Sequence, residues 1–165
     1  MNSITIIGII LLMGIILPIW YLIRSQNAGK RKLEKEIKAL GKGEDLNISE
    51  HESWGNKIIG LDREGTKVAF VDQRSSDKQI TIMDLKKFSR CYLNKETIPP
   101  ATKKGSEIVS SVSLNFVAKE KANPDEVITL FRDTVDLTLT NELHIAGEWA
   151  DKINMVIRNN NHHHH

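Results

Sequence analysis

The sequence predicts an α+β protein: an N-terminal transmembrane helix, then a small antiparallel β-sheet or partly open barrel, packed by a C-terminal amphipathic helix. Three observations carry this. Residues 4–23 contain no charged side chain, and thirteen of these twenty positions are Ile or Leu. Between residues 57 and 131 short apolar runs alternate with polar residues and are separated by Gly, Pro, Asn and Asp, the pattern of strands and turns. From Leu139 onward the apolar residues return at helical spacing, which defines an amphipathic helix.

At about 1.5 Å rise per residue, twenty helical residues reach about 30 Å, the hydrocarbon thickness of a bilayer. Each Ile or Leu near the centre favours insertion by roughly 0.3–0.6 kcal/mol, which outweighs the single Thr5. A cleaved signal peptide needs a positive n-region, a shorter apolar core and small residues at its end. Met1-Asn2-Ser3 carries no charged side chain, and Trp20, Tyr21, Leu22, Ile23 and Arg24 stand where small residues would be required. The expectation is therefore a retained anchor over residues 1–24, in contact with the lipid bilayer through residues 4–23. Trp20 and Tyr21 belong at the headgroup level, with Arg24, Lys30, Arg31 and Lys32 just beyond. The positive flank is C-terminal, so the positive-inside bias places the N-terminus outside and the rest of the chain in the cytoplasm. Pro18 predicts a mild kink, and Gly8 and Gly14, six residues apart, do not form a small-residue pairing face.

The net charge of +2 is unevenly spread. Residues 24–41 hold six Lys/Arg and two Glu, leaving seventeen basic and nineteen acidic residues in the remainder, a net −2. A broad nucleic-acid surface would make the domain basic, so no nucleic-acid partner is expected. The single Cys91 permits no intramolecular disulfide and suits a reducing compartment as a half-buried apolar residue.

Residues 25–45 form a basic connector. Within it Leu33, Ile37 and Leu40 share one helical stripe, and Glu34 with Lys38 is an ordered i, i+4 pair. Gly41 and Gly43 end the pattern too early for a coiled coil, which leaves a short helix packed on its own domain. That domain is expected over residues 46–158. Residues 57–62 and 66–72 flank Arg63-Glu64-Gly65 as a hairpin. Residues 79–84 and 88–95 follow as strands, the second with Phe88, Arg90 and Tyr92 on one side and Cys91 and Leu93 on the other. Pro99 and Pro100 break the sheet. Residues 106–119 place Ile108, Val112, Leu114 and Phe116 toward the core and Ser111, Ser113 and Asn115 toward water. Asn123-Pro124-Asp125 is a turn, and residues 126–131 pair back as an antiparallel neighbour. The final helix, expected over residues 140–158, carries Leu139, Leu143, Ala146, Ala150, Ile153 and Ile157 on one stripe widened by Trp149 and Val156, with Glu142, Glu148, Asp151 and Lys152 outside. Residues 159–165, three Asn and four His, read as a disordered tail or tag remnant.

No catalytic, metal or cofactor pattern emerges. His51 and His144, the two internal histidines, lie at no metal-ligand spacing from each other or from Cys91, and no phosphate, dinucleotide or nucleophile-elbow motif is present. Glu50 and Glu52 around His51 read as a solvated loop, and Ser49 with Glu52 as a local capping box. The expectation is a non-enzyme without cofactor or metal.

Consecutive short strands ending in one amphipathic helix resemble the pleckstrin-homology-like fold, a curved antiparallel barrel plugged by its last helix. Residues 58–93, with Gly60, Asp62 and Gly65 in the first hairpin and Asp84-Leu85-Lys86-Lys87-Phe88 after the third strand, resemble the first half of bacterial members. The whole arrangement is similar to small single-pass proteins of Bacteroidota. The resemblance implies a bacterial inner-membrane location. It carries no lipid site: phosphoinositide-binding members place several basic residues around the first hairpin loop, which here is Arg63-Glu64 followed by Lys67, a poor phosphate cradle. The functional expectation is a membrane-anchored cytoplasmic module for a protein partner, such as an accessory subunit of an inner-membrane complex. The alternative is a membrane-surface lipid sensor using Arg24, Lys30, Arg31, Lys32, Lys35 and Lys38.

Overall fold

The runs of alternating residues resolve, among the described residues, into seven antiparallel strands followed by one long helix. A computed structural model describes residues 46–73, 78–99 and 107–162 together with Met13, Ile16, Glu34, Lys35, Ile37 and Ala39. The strands are β1 (Ile48–Trp54), β2 (Lys57–Asp62), β3 (Lys67–Gln73), β4 (Lys78–Asp84), β5 (Phe88–Ile98), β6 (Ile108–Ala118) and β7 (Glu126–Arg132), with a 3-10 turn at Leu85–Lys87 and the helix α1 at Glu142–His162. They form two sheets, β1-β2-β3-β4 and β5-β6-β7, in simple meander order. Among the described residues no strand pairing joins the sheets, so neither closes into a barrel. The α+β class with antiparallel strands closed by a terminal helix thus stands. The expected span lies outside the described residues apart from Met13 and Ile16, and among those described no helix is long and apolar enough to cross a membrane.

The hairpin joining β2 to β3 illustrates how local chemistry fixes register. Gly65 adopts φ +65°, a conformation that side chains disfavour, and donates its N–H to Asp62 O at 3.0 Å. The Asp62 carboxylate accepts from the Thr66 N–H at 2.6 Å, the Thr66 hydroxyl at 2.9 Å and the Lys67 N–H at 2.9 Å. The turn is tied from inside, and Ile58 pairs with Val71 and Ile59 with Phe70 as a result.

The main core lies between the sheets and under α1, which packs chiefly on β5. Ile59, Phe70, Phe88, Leu114, Phe116, Trp149 and Ile153 meet there, all buried. Phe88 and Phe116 contact each other at 5.4 Å between centroids, tilted by 59°. Burying each such side chain contributes about 2 kcal/mol, which is why Trp149 is wholly removed from water.

Several sequence expectations change in detail, and bulges explain most of the changes. A register shift between Phe88 and Arg90 turns Phe88 onto the same buried side as Cys91, leaving Arg90 and Tyr92 exposed. A second shift, between Glu96 and Thr97, leaves Ile108 exposed while Val109 packs on the core. On α1 the buried stripe runs through Ile145 instead of Leu143, and Glu142 is buried, its carboxylate accepting from the Thr140 N–H at 2.7 Å and the Thr140 hydroxyl at 3.2 Å. The helix also continues past Arg158, and the Asn160 side chain donates to Gly65 O at 3.0 Å. An additional strand, β1, occupies the segment read as a loop around His51.

Candidate interaction surface

The first sheet is apolar on both faces, and the two faces meet different partners. On the inner side Ile59, Leu61, Val68, Phe70 and Met83 belong to the main core. On the outer side Ile58, Ala69 and Val71 form a second, smaller cluster with half-buried Ile48 and Ile82. Its centre is filled from outside the domain by Ile37 of the connector, which is helical and 0% exposed. Gly60 makes this approach possible: a Cβ there would stand 2.9 Å from Ile37 Cδ1, 2.9 Å from Ile48 Cγ2 and 3.3 Å from Glu50 O. One helical turn before Ile37, Glu34 Oε1 lies 3.8 Å from His51 Nε2. Lys35 and Ala39 of the connector are exposed.

β1 is built to serve both sides. The register shift between Ile48 and Glu50 breaks the simple alternation, so that Ile48 and His51 face the connector while Glu50, Glu52 and Trp54 face the helix and core. Glu52 Oε2 accepts from Trp149 Nε1 at 2.8 Å, and Glu50 pairs with Lys152. The Lys152 ammonium also lies 4.6 Å from the centroid of the Trp149 ring. Two carboxylates that read in the sequence as a solvated loop are therefore structural, binding β1 to α1.

Other buried polar groups are likewise paired. Lys57, almost fully buried, lies 2.5 Å from Asp136 Oδ1, whose other oxygen accepts from the Arg132 N–H at 2.9 Å. The Asn154 side chain of α1 accepts from Cys91 N–H at 2.8 Å and donates to Cys91 O at 2.6 Å, so its amide takes the place of a neighbouring strand along β5. Burial pushes the Cys91 thiol up to about 12, which keeps it protonated and unreactive near neutral pH. Among the described residues no three His, Cys, Asp or Glu are grouped to hold a metal ion.

The second sheet offers a different surface. Its outer face carries Tyr92, Asn94, Ser111, Ser113, Asn115 and Thr129, with a shallow cleft of about 410 Å³ at its centre. The Ser113 hydroxyl donates to Asn115 Oδ1 at 2.9 Å, and Asn115 Nδ2 to the Tyr92 hydroxyl at 3.4 Å. Ser113, Asn115 and Tyr92 thus satisfy one another, and Glu96, Arg132 and Asp133 line the same cleft.

The site residues expected at the membrane interface, Trp20, Tyr21, Arg24, Lys30, Arg31 and Lys32, all lie outside the described residues. The contacts that sequence reasoning missed are Glu52 to Trp149, Lys57 to Asp136 and Asn154 to Cys91. Only the first had a signal, the placing of Glu50 and Glu52 two residues apart before Trp54.

The class of protein thus defined is an α+β domain of two antiparallel meanders with a terminal helix and a connector residue seated on the first sheet. Comparisons of the chain with protein-family models, curated proteins and solved structures find no match.

Proposed function

We propose that this chain is a non-enzymatic interaction module with a pleckstrin-homology-like architecture. In this reading it is anchored in a bacterial inner membrane through residues 4–23 and presents its domain to a protein partner in the cytoplasm as an accessory subunit. The resemblance to single-pass proteins of Bacteroidota belongs to the same proposal.

The observation that carries it is Ile37. A residue of the basic connector fills the outer cluster of the first sheet, so the segment that follows the anchor is packed into the domain. A domain fixed to its tether in this way is held in one orientation, which suits docking a partner in a complex. The lipid-sensing alternative gains no comparable support. Arg63 and Glu64 are both exposed at the first hairpin loop, and the carboxylate behind them is occupied by Thr66 and Lys67.

Purification of the full chain from membranes in a mild detergent tests the proposal. The expected result is a reproducible stoichiometric protein partner, and recovery of the chain alone in repeated preparations would count against it.

A further inference from the structure

Four of the exposed apolar side chains gather at one end of the domain, where the β5–β6 pair meets the segment after β7. Leu137 is 104% exposed, and Ile108, Val135 and Ile98 are 60, 48 and 46% exposed. Ile98 and Ile108 stand directly opposite each other across the two strands. Leu137 and Ile108 share the wall of a cleft of about 270 Å³, and Leu137 and Val135 share the wall of another of about 610 Å³. Residues 136–138 line both, forming a ridge between two hollows. A contiguous exposed apolar patch of this kind marks a place where something docks.

The charges around it bear on what docks. Among the described residues Asp133, Asp136 and Glu142 line the two clefts against Lys57, which is already paired with Asp136, and Glu107 is exposed next to Ile108. With Asp136 held by Lys57 and Glu142 buried against Thr140, the exposed Asp133 and Glu107 set the sign of the described surface, which repels anionic headgroups and favours Lys or Arg. Trp54 lines the larger cleft, giving it an aromatic wall for an apolar anchor.

We propose that this two-hollow ridge docks a polypeptide segment of a partner protein, one that sets apolar anchors on either side of Leu137 and a Lys or Arg against Asp133. The inference rests on the interaction-module reading and names the surface and the chemistry of the partner.

Photo-crosslinking of the full chain in its native membrane tests it, with a benzophenone amino acid placed at Leu137 or, separately, at Tyr92 on the polar face of the second sheet. The expected result is a protein adduct from position 137 whose captured peptide, mapped by mass spectrometry, combines apolar residues with Lys or Arg. Asp133→Lys, at an exposed position, should reduce that adduct at least tenfold without moving the melting temperature. A lipid adduct at position 137, a captured segment without basic residues, or an adduct indifferent to Asp133→Lys would each overturn the inference. An adduct at position 92 alone overturns it too but leaves the interaction reading standing. Silence at both positions, with co-purification returning only the protein itself, removes both.

Discussion

Gly60→Ala measures how firmly the connector is seated. The added methyl would stand 2.9 Å from both Ile37 Cδ1 and Ile48 Cγ2, closer than carbon atoms tolerate. Overpacking of this kind costs about 1–3 kcal/mol. Against it stands the gain of about 0.5–1 kcal/mol from replacing glycine within a strand, leaving a net loss of roughly 0–2.5 kcal/mol. Ile37→Ala by itself should cost about 2–5 kcal/mol, since the side chain is wholly buried. In the Ile37→Ala background one of the two closest contacts is gone, and the alanine at position 60 partly refills the vacated space. The penalty of Gly60→Ala should then shrink, the contact with Ile48 remaining, by a coupling of about 1 kcal/mol between the two sites. Urea unfolding of the full chain in detergent, followed by near-ultraviolet circular dichroism, supplies the four free energies. Additivity within about 0.3 kcal/mol would refute the reasoning, because it would mean that Ile37 does not rest on Gly60.

Four other outcomes follow from the same contacts. Asn154→Ala should cost about 1–3 kcal/mol by orphaning the backbone groups of Cys91, and hydrogen exchange at the Cys91 amide should accelerate. Lys57→Met alone should cost about 3–5 kcal/mol by stranding Asp136, and the double change Lys57→Met with Asp136→Leu appreciably less, as read from urea midpoints. Trp149→Phe should lose about 1–3 kcal/mol with the bond to Glu52, and Glu52→Gln, whose side-chain oxygen still accepts, should lose less. The Cys91 thiol is raised from 9.0 to about 12, so the unfolded chain gives up this proton first. Its contribution to stability is intact below pH 9 and is lost as pH rises from 9 toward 12, and Cys91→Ala should flatten that alkaline decline in a pH series of unfolding curves.

The parts of the fold that the sequence made legible are those where burial is one-sided and uninterrupted. The β2–β3 hairpin and β7 fall within a residue or two of their expected places because apolar alternation and turn chemistry agree there. β1 escaped notice for a physical reason. Two of its three inward positions are Glu50 and Glu52, which reach the core side only because Lys152 and Trp149, about a hundred residues later in the chain, receive them. Periodicity reads hydrophobicity and is blind to a carboxylate whose partner is distant. Bulges hid the orientations of Phe88 and Ile108 in the same way, since one extra residue reverses every later side chain. The connector stripe through Ile37 was legible, but the receiving surface was not, because β2 is buried on both faces and reads simply as an apolar run.

Asn154 has a consequence beyond its own stability. A bare strand border invites a foreign chain to continue the ladder, the first step toward fibrils. Where α1 crosses β5, a single carboxamide answers both backbone groups of Cys91 as a thirteenth-hour neighbour would, and any intruding peptide must first evict it. Its removal should therefore speed aggregation on warming by more than the lost stability alone explains, with growth starting from the β5 border.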